Sequence, residues 1–275
     1  MKVDLGEGEV DPGEETGERY RLLKTILKVH RPRRDAIVSI SSDIPSSSGL
    51  GGSASFSVAT IAAINSFNEK LISPYLLAEM AQRIETRDLG LMNGYQDQYC
   101  ATFGGCLFMD FKGKHNYPLG QEPYAVVESI PFPYNIVVAH TGARHCSGDV
   151  NADLYKNYLC GDTSISTRIN ELDDLTRSLR VALIDGDYDA LCTIINRNQD
   201  IIRSFDRSTI ENERLIEAAL SAGADAAKVT GAGCGGCIAA ICESEYDASR
   251  VAEVLRRHSP YVHECAVDGG VRQDV

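Results

Sequence analysis

Pro45-Ser46-Ser47-Ser48-Gly49-Leu50-Gly51-Gly52-Ser53-Ala54-Ser55 lies between two periodic segments. Upstream, Ala36-Ile37-Val38-Ser39-Ile40-Ser41 reads as a short β-strand. Downstream, Phe56 to Ile64 is apolar or small throughout and predicts a buried helix that runs to about Phe67. A glycine-rich turn that opens a helix leaves unpaired backbone N–H groups aimed at one spot. The helix dipole adds positive potential there, so the spot favours an anion, most often phosphate. A flexible Gly/Ser linker would not sit tightly between two periodic elements. The loop also lacks the Gly-Lys-Ser/Thr ending of a Walker loop and the spacing of a dinucleotide fold. The reading is a phosphate cradle of another kind.

A second glycine run, Lys228-Val229-Thr230-Gly231-Ala232-Gly233-Cys234-Gly235-Gly236, precedes the strand pattern Cys237 to Cys242. A plain hairpin turn accounts for only two of these glycines. The rest permit close backbone approach. Between the two runs lies Gly94-Tyr95-Gln96-Asp97-Gln98-Tyr99, followed by Phe103-Gly104-Gly105.

Together these segments resemble the GHMP kinase superfamily of galactokinase, homoserine kinase, mevalonate kinase and phosphomevalonate kinase. The pattern Pro-x-x-x-Gly-Leu-Gly-x-Ser-Ala is similar to the family's second motif. Many members carry Ser-Ser where this chain has Gly52-Ser53, and the magnesium-facing serine is retained as Ser53. Residues 228–236 resemble the third motif. The resemblance implies a two-lobed α+β fold, with an N-lobe like the second domain of a small-subunit ribosomal protein and a ferredoxin-like C-lobe. It divides the chain into 1–132 and 133–275.

It further implies ATP and Mg2+ as cofactors and transfer of the γ-phosphoryl group to a hydroxyl. Pro45, Ser48, Gly49, Leu50, Gly51, Gly52, Ser53 and Ala54, with Gly231, Ala232 and Gly233, would hold the nucleotide phosphates. Ser53 and Glu85 would hold the metal, with Asp88 a competing candidate. Asp97 would face the acceptor hydroxyl. The chemistry has a clear need: concentrated phosphate charge calls for a hard cation on oxygen ligands, and an acceptor alcohol calls for a carboxylate to orient it or take its proton.

Gly94 and Gln96 fall in the acceptor region. His140-Thr141-Gly142-Ala143-Arg144-His145 resembles a Thr-Gly-x-x-Arg segment of sugar-kinase members, which makes Thr141 and Arg144 substrate candidates. For Arg144 a surface ion pair is the competing reading. Gln-Asp-Gln-Tyr…Phe-Gly-Gly is closest to heptose-phosphate kinases and glucuronokinase-type sugar kinases, so the expected acceptor is a sugar or sugar phosphate. The alternatives are a mevalonate-type kinase or decarboxylase, and a non-catalytic homologue that binds nucleotide or sugar. One family element is missing: nothing in residues 1–35 matches the opening Pro-x-Arg/Lys strand motif. Either the chain starts late, the acceptor site is built differently, or activity is impaired.

Composition sets the outer bounds. The chain has 275 residues and is 43% hydrophobic, which suffices for a sizeable core. A net charge of −12 disfavours nucleic acid and anionic membranes as partners. No apolar run of membrane-spanning length is present, and the acidic start is no signal peptide. Nine irregularly spaced cysteines predict buried thiols in a reducing cytoplasm. Cys234 and Cys237 have redox-like spacing but no second pair to complete a zinc set. A monomer or homodimer is expected.

Along the chain, residues 1–20 read as irregular and Tyr20 to Val29 as a helix. Ser73-Pro74 is a capped helix start. Helices are expected over 164–184, 188–205, 211–220 and 248–257, and strands over 106–111 and 134–141. The second half should pack its helices on an antiparallel sheet.

Overall fold

A computed structural model describes residues 2–4, 9–10, 18–45, 47–91, 93–114, 123–143 and 154–273. The chain divides into two compact units. The first comprises 1–45, 51–128 and 268–275; the second comprises 46–50 and 129–267. The main division thus falls at 128/129. Two short segments change sides, which a single cut at 132/133 does not foresee.

In the first unit, α1 (Glu18–Val29) presents Leu22, Leu23, Ile26 and Leu27 to α2 (Gly52–Phe67). Phe56, Val58, Ile61 and Ile64 answer from α2, and Leu77, Ala81 and Ile84 complete this core. Each fully buried aliphatic side chain contributes about 1.5–3 kcal/mol. Ser73 caps α3 (Pro74–Arg83) by accepting from the Leu76 N–H, with Pro74 in the first turn. The helix then widens into a π-turn, Ile84–Asp88, where the Leu89 N–H reaches back to the Ile84 carbonyl. Such widened turns are frequent at functional sites.

One expectation changes in this unit. Residues 2–4 and 9–10 are strands β1 (Lys2–Asp4) and β2 (Glu9–Val10), not irregular chain. They form a sheet with β3 (Ile37–Ser39) in the order β2-β1-β3, in which Val3 pairs with Val38 in parallel. Strands this short carry too few residues for a visible alternation. Asp97, whose segment carries no secondary-structure expectation from the sequence, sits in the first turn of a helix, α4 (Gln96–Phe103). Eight residues of mixed polarity with no side-chain cap gave no helical period. A two-stranded sheet pairs β4 (Cys106–Asp110) with β5 (Val126–Ile130). The chain's last residues return to this unit: the Gly105 N–H donates to the Asp268 carbonyl and the Val271 N–H to that of Ala101.

A buried polar knot fixes α4. The Lys114 ammonium donates to the Glu79 carboxylate and to the Pro123 carbonyl, and lies 4.2 Å from the centre of the Tyr95 ring. The Tyr99 hydroxyl donates to the same carboxylate and accepts from the Ala125 N–H.

The second unit holds a four-stranded antiparallel sheet, ordered β7 (Ala226–Val229), β8 (Cys237–Cys242), β6 (Asn135–His140), β9 (Tyr261–Cys265). β9 escapes sequence reading because it is an edge strand with His263 and Glu264 exposed. Its helices among the described residues include α5 (Thr163–Asp185), α6 (Tyr188–Ser204), α7 (Ile210–Ser221) and α8 (Glu245–Leu255). Leu215, Ile216 and Ala219 of α7 and Val251, Ala252 and Leu255 of α8 pack with Val137, Ile238 and Ala240 of the sheet. Cys237 and Cys242 are wholly buried there as small apolar residues.

Candidate functional site

In the first unit the predicted residues gather around the start of α2. Gly51 is the cap residue, with φ +67°, a backbone state that side chains other than glycine's disfavour. No side chain caps this helix, so its first N–H groups, from Gly52 to Ala54, remain available. A Cβ placed on Gly51 would lie 3.4 Å from Asp97 Cγ, so the Asp97 carboxylate sits against the helix start.

Within the helix's first turn, the Ser53 hydroxyl donates to Glu85 Oε2 at 3.2 Å. Ser57, one turn on, donates to Oε1 at 3.4 Å, and the Asn93 amide donates to Oε2 at 2.6 Å. Sequence reasoning missed Ser57 and Asn93. The i, i+4 spacing of Ser53 and Ser57 on a helix was the available signal for one of them.

Glu85 is almost wholly buried in the π-turn. Burial pushes its carboxyl above the ordinary range, and the negative charge of Asp97 adds to the rise; the hydrogen bonds from Asn93 and Ser53 oppose it. Asp97 is also raised, by desolvation. The residue nevertheless keeps contact with solvent. Of the two acids, Glu85 is the buried one and Asp97 the exposed one. Asp88, the competing metal candidate, ends the π-turn and is exposed.

In the second unit, Ser48 and Gly49 pack on the loop between β7 and β8. The Cys237 N–H donates to the Ser48 carbonyl at 2.9 Å. A Cβ on Gly236 (φ +69°) would come within 2.6 Å of that same oxygen, and one on Gly231 within 3.0 Å of the Gly49 carbonyl oxygen. The backbones touch because the side chains are absent.

A buried asparagine pins this loop. The Gly235 N–H donates to Asn212 Oδ1 at 3.0 Å, and Asn212 Nδ2 donates to the Gly235 carbonyl at 3.3 Å. Asn212 also completes a capping box with Thr209 at the start of α7. The Cys234 N–H donates to the Arg207 carbonyl at 2.7 Å. Neither Asn212 nor Arg207 stood out in the sequence.

Thr141 follows β6. Its N–H donates to the Gly236 carbonyl and its hydroxyl accepts from the Ala143 N–H. Gly94 and Gln96 are exposed. Arg144 lies outside the described residues. Pro45 closes its segment of the first unit, and Leu50 and Gly51 join one unit to the other through a peptide bond. The Lys228 ammonium is desolvated, which lowers its pKa, and donates to the Val229 carbonyl at 2.8 Å.

The donor set around Glu85 is all oxygen and amide, with a buried carboxylate at its centre. That suits a hard, small cation such as magnesium and no soft metal. No cluster of three or more His, Cys, Asp or Glu occurs among the described residues.

The fold and these two clusters define a small-molecule kinase architecture. The family model for the N-terminal domain of GHMP kinases matches residues 20–105, and that for the GHMP kinase C-terminal domain matches 179–260. The first match contains the loop to Ser55, Glu85 and Asp97, and the second contains the run 228–236. The chain belongs to the GHMP kinases. It is 30% identical over 229 residues to D-glycero-alpha-D-manno-heptose 7-phosphate kinase of Campylobacter jejuni, covering 81% of this chain and 66% of that protein. It is 26% identical over 259 residues to a mevalonate kinase of Thermococcus sibiricus, covering 92% and 74%. Among solved structures it is similar to Lactococcus lactis galactokinase complexed with galactose, with a TM-score of 0.74 at 18% identity, covering 98% of this chain and 82% of that one. This chain therefore spans about two thirds to four fifths of the length of these proteins.

Proposed function

We propose that this chain is an ATP-dependent phosphotransferase that moves the γ-phosphoryl group to a hydroxyl of a sugar or sugar phosphate. The observation that carries the reading is the placement of Asp97 against the open N-terminus of α2, with Ser53 of that first turn bonded to Glu85 of the π-turn.

The free N–H groups at Gly52–Ala54 give an anion a place to bind with the helix dipole behind it. Ser48, Gly49 and Leu50 are proposed phosphate contacts as well, as are Gly231, Ala232 and Gly233 of the loop that meets Ser48 and Gly49 through Gly236 and Gly231. Ser53 and Glu85 would hold Mg2+, which when bound offsets phosphate charge. Asp97 orients the acceptor alcohol and takes its proton. Its raised pKa brings it nearer to neutrality, which improves a carboxylate as a base. Gly94, Gln96 and Thr141 are proposed acceptor contacts. A reducing, cytoplasmic setting is supported by eight free cysteines among the described residues. Among those residues no helix is long and apolar enough to cross a membrane.

A second reading, a mevalonate kinase, draws support from the likeness to the Thermococcus sibiricus enzyme. A coupled ADP-release assay over heptose 7-phosphate, free sugars and mevalonate separates the two. Turnover with a sugar or sugar phosphate supports the proposal. Turnover with mevalonate alone transfers the assignment to the second reading. ATP binding with no turnover on any acceptor makes the chain a binding protein.

A further inference from the structure

The chain is acidic overall, yet one cleft is basic. It has a volume of about 780 Å³ and is lined by Lys24, Lys28, Arg31, Arg33 and Arg34. Lys24 and Lys28 stand one turn apart on α1, and the arginines follow on the turn into β3. Lys28 complements the C-terminal dipole of α1, but the three arginines lie beyond the helix and serve no such role.

The turn is built rather than loose. Asn68, buried at the end of α2, donates from Nδ2 to the Arg31 carbonyl and accepts the Arg33 N–H at Oδ1, both at 2.8 Å. These bonds use backbone only, so the guanidinium groups of Arg31 and Arg33 stay available. Arg34 pairs with exposed Glu69 at 3.3 Å, and Asp35 also lines the cleft. Among the described residues, Lys24, Lys28, Arg31 and Arg33 make no ion pair.

We infer that this cleft binds a small molecule carrying two or more phosphate groups. Four unpaired cations around one concavity exceed what a single monoanion neutralises, and arginine forks suit phosphate oxygens. Leu27 and Pro32 add an apolar wall for an organic portion. The volume fits a metabolite-sized ligand, and the net charge of −12 opposes an extended nucleic acid. The site is separate from the phosphate cradle. Asn68 closes α2 at the end opposite Gly52, and the 16 residues of that helix span about 24 Å. The inference does not depend on the kinase reading.

The test is calorimetric titration of the full chain with sodium tripolyphosphate, metal-free. Binding should fall steeply with added salt. The double variant Arg31→Gln/Arg33→Gln should bind at least tenfold more weakly while keeping the wild-type melting temperature. Lys28→Gln should weaken binding by a smaller factor. No binding at millimolar tripolyphosphate, or binding that the double variant leaves unchanged, overturns the site. Displacement of tripolyphosphate by a short single-stranded RNA at lower concentration overturns the small-molecule assignment.

Discussion

Gly236→Ala probes the contact between the two glycine loops with a single methyl group. The residue sits at φ +69°, where an L side chain costs about 1–2 kcal/mol. The new Cβ would lie 2.6 Å from the Ser48 carbonyl oxygen, so one backbone must move. That oxygen accepts the Cys237 N–H at 2.9 Å. Displacing Ser48, which is buried, puts this bond at risk, at a net cost of about 0.5–1.5 kcal/mol. The sum is about 1.5–3.5 kcal/mol, which corresponds to a fall of roughly 3–14 °C in melting temperature for a chain of this size. Calorimetry of Gly236→Ala gives the number. Gly94→Ala is the control, since a Cβ there meets nothing within 4 Å and should change stability by less than about 0.5 kcal/mol. A Gly236→Ala protein that melts within a degree or two of wild type would refute the argument that the loops meet backbone to backbone.

Lys114→Met leaves Glu79 buried without its cation and should destabilise the protein by about 3–5 kcal/mol in urea unfolding. Adding Glu79→Gln should recover much of that loss, and a double variant no better than the single one would contradict the pairing. Asn212→Ala removes both bonds to Gly235 and the capping box, so a loss of about 2–4 kcal/mol is expected, together with weaker ATP binding. Burial pushes the Glu213 carboxyl up, but hydrogen bonds from Arg203 and Ser208 and the Arg203 charge outweigh it and hold the pKa below the ordinary value of 4.5. Glu213 therefore adds stability above its unfolded pKa and loses it as pH falls through the folded one. The pair is half exposed, so the term is under about 1 kcal/mol. Glu213→Gln should cost stability at pH 7 and little at pH 2–3; an equal cost at both would reject the ion pair as the cause.

The elements legible in the sequence are those with a long period or a strong cap. Leu22, Leu23, Ile26 and Leu27 announced α1, and Ser73-Pro74 announced α3. The meeting of the two glycine runs was legible because glycine clusters of this density serve backbone approach, and Gly231 and Gly236 do approach Gly49 and Ser48. What stayed hidden depends on distant partners. β9 is a strand only because β6 pairs with it, from Ile136 opposite Cys265 to His140 opposite Tyr261. The wider turn at Ile84–Asp88 leaves no mark in the side-chain pattern, yet it carries Glu85. Asn93 reads as an ordinary loop residue until its amide is found 2.6 Å from Glu85. The exchange of segments 46–50 and 268–275 between units is a property of the tertiary fold and has no local signature.

Single-turnover transfer from radiolabelled ATP to a sugar phosphate, in wild type and Asp97→Asn, bears most directly on the role given to this carboxylate. The variant should bind ATP as wild type does and transfer the label about 10²–10⁴ times more slowly. Equal transfer rates in the two proteins, or a rate lost only in proportion to ATP affinity, would contradict it.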